Sequence, residues 1–164
     1  CLKLSGMLSS YYGSMRLIIR ASVAQDYLSV KQGFTEDLFT SLNPPFPPVQ
    51  LNRFDGSKKG DVVELELNFL LFRQTWRSLI TEDGQTDREW YFIDEGVKLP
   101  FFLKYWKHHH RVLRQENGSQ IVDDIHFRSP FWLMDFLLYP VLALQFLYRK
   151  PIYKKIFSVE KKQV

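Results

Sequence analysis

The sequence has one cysteine, Cys1, in 164 residues. That excludes an internal disulfide framework and a cysteine-based zinc cluster, and it allows a reducing compartment. No phosphate-binding glycine loop is present: Gly56 and Gly60 share a turn without the strand–loop–helix setting. Ser9-Ser10 and the scattered threonines have no nucleophile-elbow context. Residues 1–14 are broken by Ser, Gly and Tyr and lack the continuous apolar centre of a signal peptide. They read as an N-terminal extension outside the core, with the natural start at Met15. The alternative, Cys1 as a lipid-bearing first residue, lacks the long polar tether that such anchors usually carry. A basic face is missing as well. Of the net charge of +4, Arg149–Val164 holds +5, from Arg149, Lys150, Lys154, Lys155, Lys161 and Lys162 against Glu160, leaving −1 elsewhere. A basic tail of this kind gives no footprint for nucleic acid.

What the chain has in quantity is aromatic surface: 14 Phe, 8 Tyr and 4 Trp. Such side chains serve a core or a ligand pocket equally well. The length suits one domain, placed at residues 15–157, with 158–164 as a basic tail. Arg16–Val23 reads as a strand. A short helix over Gln25–Gln32 stops at Gly33. A second helix is capped by Thr35, with Glu36 and Asp37 in its first turn. Asn43–Pro48 is an extended, proline-rich connector into a strand over Val49–Phe54.

Asp55–Gly60 then turns the chain. Val63, Leu65, Leu67 and Phe69 alternate with polar residues, which marks a half-buried strand. The meander continues over Gln74–Thr81, turns at Glu82–Gln85, and resumes over Glu89–Glu95. Asn117-Gly118 joins two long strands, Lys104–Glu116 and Ser119–Arg128, as a two-residue hairpin loop. That register sets Glu116 opposite Ser119, Val112 opposite Asp123, His110 opposite Ile125 and His108 opposite Phe127. Ser129-Pro130 reads as the start of a long apolar helix, kinked or broken at Pro140 and Pro151. The class is therefore α+β.

Strand alternation places Trp106, His108, His110 and Val112 on one face, together with Ile121, Asp123, Ile125 and Phe127 of the partner strand. His108 and His110, with Asp123 diagonal to His110, are the one polar constellation on the inner side. Asp94, on the preceding strand, is a neighbour to consider. Two histidines and a carboxylate suit a metal. Asp123 orienting His110 suits acid–base chemistry. The simplest reading is a buried, hydrogen-bonded polar patch under aromatic cover, with no metal and no cofactor. The C-terminal helix approaches spanning length, yet Asp135, Pro140 and Gln145 interrupt it. It is expected to cover the sheet with one side and to meet a lipid surface or a partner with the other.

One strand, two small helices, six antiparallel strands and a long helix resemble the helix-grip fold of the START-like (SRPBCC, Bet v 1-like) superfamily. Phe92-x-Asp94, Pro100-Phe101, Trp106-x-His108-x-His110, Ile121-x-Asp123-x-Ile125-x-Phe127 and Gln145–Arg149 are similar to its bacterial ligand-binding members. Leu99 stands where that pattern has Gly, and Gly96 where it often has Gln. The resemblance implies a curved sheet of about seven strands (β-α-α-β6-α) wrapped around the C-terminal helix, enclosing a hydrophobic cavity. It implies a bacterial, cytoplasmic carrier or sensor of a small lipid-like or aromatic ligand. Cavity-facing positions would be Leu65, Leu67, Phe69, Trp106, His108, His110, Asp123, Ile125 and Phe127, with Phe131, Met134 and Leu138 from the helix. Binding is favoured over catalysis. A cyclase- or hydrolase-like enzyme would use His108, His110 and Asp123, and a membrane-surface module would use the helix and tail.

Overall fold

The computed structural model describes residues 13–158. Cys1, nearly all of the N-terminal extension and the tail from residue 159 lie outside the described residues. The elements are β1 (Met15–Val23), α1 (Tyr27–Gln32), α2 (Glu36–Ser41), β2 (Val49–Phe54), β3 (Val62–Asn68), β4 (Arg73–Gln85), β5 (Glu89–Lys98), β6 (Tyr105–Gln115), β7 (Gly118–Arg128) and α3 (Trp132–Ile156). All seven strands form one antiparallel sheet in the order β1-β7-β6-β5-β4-β3-β2. Strands β2 to β7 are thus a simple meander, and β1 pairs with the last of them. The curved sheet and the long C-terminal helix are those expected from the sequence.

The short helices form where local chemistry satisfies their free amides. Asp26 accepts from the backbone N–H of Leu28 and Ser29, and Thr35 accepts from Leu38. Gly33 ends α1 with an ordinary negative φ. Its value is space, since a Cβ there would press on the Phe157 ring.

Three local expectations are corrected. Strand β4 does not turn at residues 82–85. Glu82–Gln85 pair with Trp90–Ile93 after a register shift past Ile80. The turn falls one step later, where the Thr86 hydroxyl accepts from the N–H groups of Arg88 and Glu89.

The β6–β7 hairpin closes at Gln115↔Gly118, so His110 lies opposite Asp123, His108 opposite Ile125 and Trp106 opposite Phe127. Glu116 and Asn117 occupy the turn, and Gly118 alone carries a positive φ, 102°. Asn-Gly serves here as the end of a type I turn with a left-handed glycine, not as the two central residues. The slip is two residues, an even number, so every side chain keeps its face.

The third correction concerns α3. It starts at Trp132 with Phe131 as its cap residue and no side-chain cap. Ser129 does not cap it. Its N–H donates to the fully buried Asp135 carboxylate (2.6 Å), and its hydroxyl donates to the Phe131 carbonyl. Pro140 and Pro151 do not break the helix, which runs through both. The carbonyls they leave unbonded belong to Phe136 and Leu147, both exposed.

Two apolar clusters fix α3 on the sheet. One gathers Val30, Phe34, Trp90, Phe92, Val112 and Ile121 around Tyr153 and Phe157 at the end of α3. The other sets Leu142 and Phe146 from its middle against Leu17, Trp106, Ile125 and Phe127. Burial of each large side chain contributes roughly 1.5–3 kcal/mol of transfer free energy. Helix α3 packs closely on β1 and β7 and stands off from β2–β4. That gap becomes the site.

Candidate functional site: a cavity walled by paired histidines

A cavity of about 460 Å³ lies between α3 and the β2–β6 part of the sheet. Leu65, Leu67 and Phe69 line it, with Trp76, Ser78, Ile80 and Phe92 from the middle strands. Met134, Leu138, Val141, Gln145 and Arg149 line it from α3, and Pro44, Phe46 and Pro47 from the α2–β2 connector. Its polar wall is set by strand alternation: Asp94 on β5, then Trp106, His108 and His110 on β6.

The two imidazoles lie against each other, 3.5 Å between centroids and tilted by 36°, and a carboxylate stands on either side of the pair. His108 Nε2 lies 2.9 Å from Asp123 Oδ1, and His110 Nε2 lies 3.1 Å from Asp94 Oδ2. Each ring's other nitrogen faces the opposite carboxylate at 3.5 Å. The Trp106 indole N–H donates to Asp94 Oδ1 at 3.1 Å. Phe92 stacks on His110 at 4.2 Å, and Phe146 meets His108 edge-on.

Burial sets the protonation pattern. It pushes His110 down to about 4, with His108 adding to the effect, against the opposing pull of Asp94 and Asp123. Burial alone would raise both carboxyls. The hydrogen bond from His110 and the neighbouring rings outweigh it at Asp94, and the bond from His108, with Arg149, does so at Asp123. Both therefore lie below the ordinary carboxylate range. Tyr153 is pushed well up by burial and by Asp123.

Two buried polar atoms of cavity-lining residues, His110 Nδ1 and Arg149 Nε, make no hydrogen bond. The Arg149 guanidinium lies over the Phe146 ring at 4.2 Å and borders the cavity. Asp94, His108 and His110 also present ligand atoms within 4.8 Å of one another, so a metal would find its donors there. The carboxylates of Asp94 and Asp123, however, already face all four ring nitrogens.

Of the positions expected to face a ligand, Leu65, Leu67, Phe69, Trp106, His108, His110, Met134 and Leu138 border the cavity. Asp123 sits behind the histidines, while Ile125 and Phe127 are fully buried beneath α3. Phe131, in extended backbone ahead of the helix, is 68% exposed and lies off the cavity, which corrects that expectation. Arg149, read from the sequence as part of a basic tail, belongs to the site. The signal was there: Leu138, Leu142, Gln145 and Arg149 follow one helical face at i, i+4, i+7 and i+11.

No family model and no curated protein matches the sequence. Solved structures do match. The aromatase/cyclase ZhuI from Streptomyces sp. R1128 superposes with a TM-score of 0.65 at 14% identity, over 84% of this chain and 90% of that one. This chain has the helix-grip fold. Two further helix-grip proteins bear this out, each with a TM-score of 0.55. The major latex-like protein 151 of Panax ginseng shares 14% identity over 87% of this chain and 99% of its own. Norcoclaurine synthase from Thalictrum flavum, solved with dopamine and hydroxybenzaldehyde, shares 10% identity over 85% and 88%. At such identities the likeness carries the helix-grip architecture, and function must be argued from the site.

Proposed function

We propose that this helix-grip protein binds a small hydrophobic or amphipathic ligand in the cavity between α3 and the sheet, as a carrier or sensor. The observation that carries this reading is the cavity itself: about 460 Å³, chiefly apolar, with a few polar groups, Asp94, His108 and His110 from the sheet and Gln145 and Arg149 from α3. Small-molecule sites have this character. Leu65, Leu67, Phe69, Met134 and Leu138 would hold the apolar body, with Ile125 and Phe127 backing them. His108, His110 and Arg149 would meet a polar end, with Asp94 and Asp123 fixing the rings. Such a carrier works beside a lipid phase, and α3 with the basic residues that follow is the contact expected for it.

Native mass spectrometry of the purified chain is expected to show a co-purifying small-molecule mass. N-phenyl-1-naphthylamine is expected to gain fluorescence on binding, and Leu138→Trp, which fills the cavity from α3, to weaken it roughly tenfold. No bound mass together with no probe response in the folded protein would sink the reading.

A second reading has one specific observation behind it. His108 and His110 stand on the cavity wall with carboxylate partners, and among similar folds are an aromatase/cyclase and a synthase. A cyclase- or hydrolase-like proton transfer would use His108, His110 and Asp123. The electrostatics weigh against His110 as the base, since placing a proton on it at pH 7 costs about 4 kcal/mol. Turnover that disappears in His110→Gln while probe binding persists is the result that would favour catalysis.

A further inference from the structure

Most of the exposed large apolar side chains among the described residues fall on the β3–β4 tip, the β5–β6 loop and α3. The β3–β4 tip presents Leu70 and Leu71, 83% and 94% exposed, and Leu70 holds a positive φ of 67°. A leucine in the left-handed region is strained, and glycine or asparagine would turn the chain more easily. The sequence thus accepts both strain and exposure to keep leucine at this tip. Phe72 packs on Phe101 of the β5–β6 loop, whose ring is 59% exposed and also borders the cavity. Along α3, Trp132, Phe136, Leu137 and Leu144 face outward over about three turns, and Val141 among them again borders the cavity. Patches of this extent mark a contact surface.

Charge identifies what the surface meets. Asp135 is the only acid in α3, and it is fully buried. The exposed side of the helix therefore carries no negative charge, while Lys154 and Lys155 stand exposed near its end. Lys98, Lys104 and Arg128 are exposed on the flanking loops and strand ends. Trp132 and Tyr148 supply the amphipathic rings that favour a bilayer interface. A second copy of this chain would bring like charges against like. No helix among the described residues is long and apolar enough to cross a membrane, so the helix would lie in the interface plane.

We propose that the outer face of α3, the Leu70-Leu71 tip and the Phe101 loop dock together on an anionic phospholipid bilayer, with the cavity mouth turned toward the lipid. Ligand exchange with that bilayer rests on the binding reading above, whereas docking does not depend on it. The test uses the intact chain with vesicles of phosphatidylcholine alone and of phosphatidylcholine mixed with phosphatidylglycerol. The chain is expected to co-sediment with the anionic vesicles, less so as salt rises. The double variant Leu71→Asp/Leu137→Asp, at two exposed positions, is expected to lower partitioning at least roughly tenfold with an unchanged circular dichroism spectrum. Three results overturn the proposal: wild type left in the supernatant with both vesicles, the folded variant binding as well as wild type, or a wild-type dimer that these substitutions dissolve. N-phenyl-1-naphthylamine binding in the same samples separates the two ideas. Docking without probe uptake defeats the ligand reading alone, and probe uptake without docking defeats the membrane proposal alone.

Discussion

Lowering the pH from 7 to 5 loads the unfolded chain with protons that the folded chain refuses at His110. The free imidazole takes its proton near 6.5, whereas in the fold burial and the neighbouring His108 hold it to about 4. Above the unfolded value both states are neutral there and the group contributes nothing. Below it the unfolded state binds more protons, so stability falls as pH drops, and the loss is complete below the folded value. From those two values the loss is about 2 kcal/mol at pH 5 and roughly 3 kcal/mol at saturation. Asp94 and Asp123 do not contribute in this window. Their carboxyls lie below the ordinary 3.8, and their share is lost only at lower pH. His109, lowered by partial burial and by Arg111, slopes in the same direction. Urea unfolding followed by tryptophan fluorescence at pH 7, 6 and 5 measures the sum, with a midpoint shift of about 1 M for a slope near 2 kcal/mol/M. His110→Gln keeps a donor for Asp94 but cannot titrate, and should remove the larger part of the dependence. A wild-type midpoint that stays level or rises toward pH 5, or a variant that keeps the full slope, would refute the argument.

Asp123→Ala leaves His108 Nε2 without its 2.9 Å acceptor inside the fold. A loss of about 1–3 kcal/mol is expected in urea unfolding at pH 7, the cost of a buried donor left without a partner, and a loss below 1 kcal/mol would mean that water or Asp94 takes over. Gly118 and Gly60 both hold a positive φ, but a Cβ on Gly118 would collide with the Val23 carbonyl while one on Gly60 meets open space. Gly60→Ala is therefore expected to cost only the strain of about 1–2 kcal/mol, and Gly118→Ala distinctly more, read as the difference in thermal midpoints.

The architecture was legible in the sequence because its signals are periodic. Alternation along Trp106–Val112 and Ile121–Phe127 assigns faces whichever way the hairpin turns, and faces are what bring His108, His110 and Asp123 together. The exact pairing was less accessible. Asn117-Gly118 is compatible with two turn types whose registers differ by two residues, and local sequence does not choose between them. Non-local contacts hid the rest. Ser129-Pro130 has the appearance of a helix cap, yet the deciding partner is Asp135, one turn inside the helix. By charge Arg149 belongs with the lysines that follow it, although its position on the helix determines where its side chain goes. The cavity rim at Pro44, Phe46 and Pro47 comes from an irregular connector, where no periodicity points inward or outward.

The unequal seating of α3 also has a kinetic side. Because the helix is fastened to β1 and β7 and stands off from the far edge of the sheet, β2 and β3 can part from it while the clusters around Tyr153 and Phe146, which draw on β4 through Ile80 and Trp76, stay in place. Backbone amides of β2, at the free edge of the sheet, should then exchange with solvent deuterium through small, local openings. Those of β7, which lie between two strands and beneath the helix, should wait for the whole domain to unfold. A guest as large as the cavity could therefore enter along the β2 side at a small fraction of the global unfolding free energy.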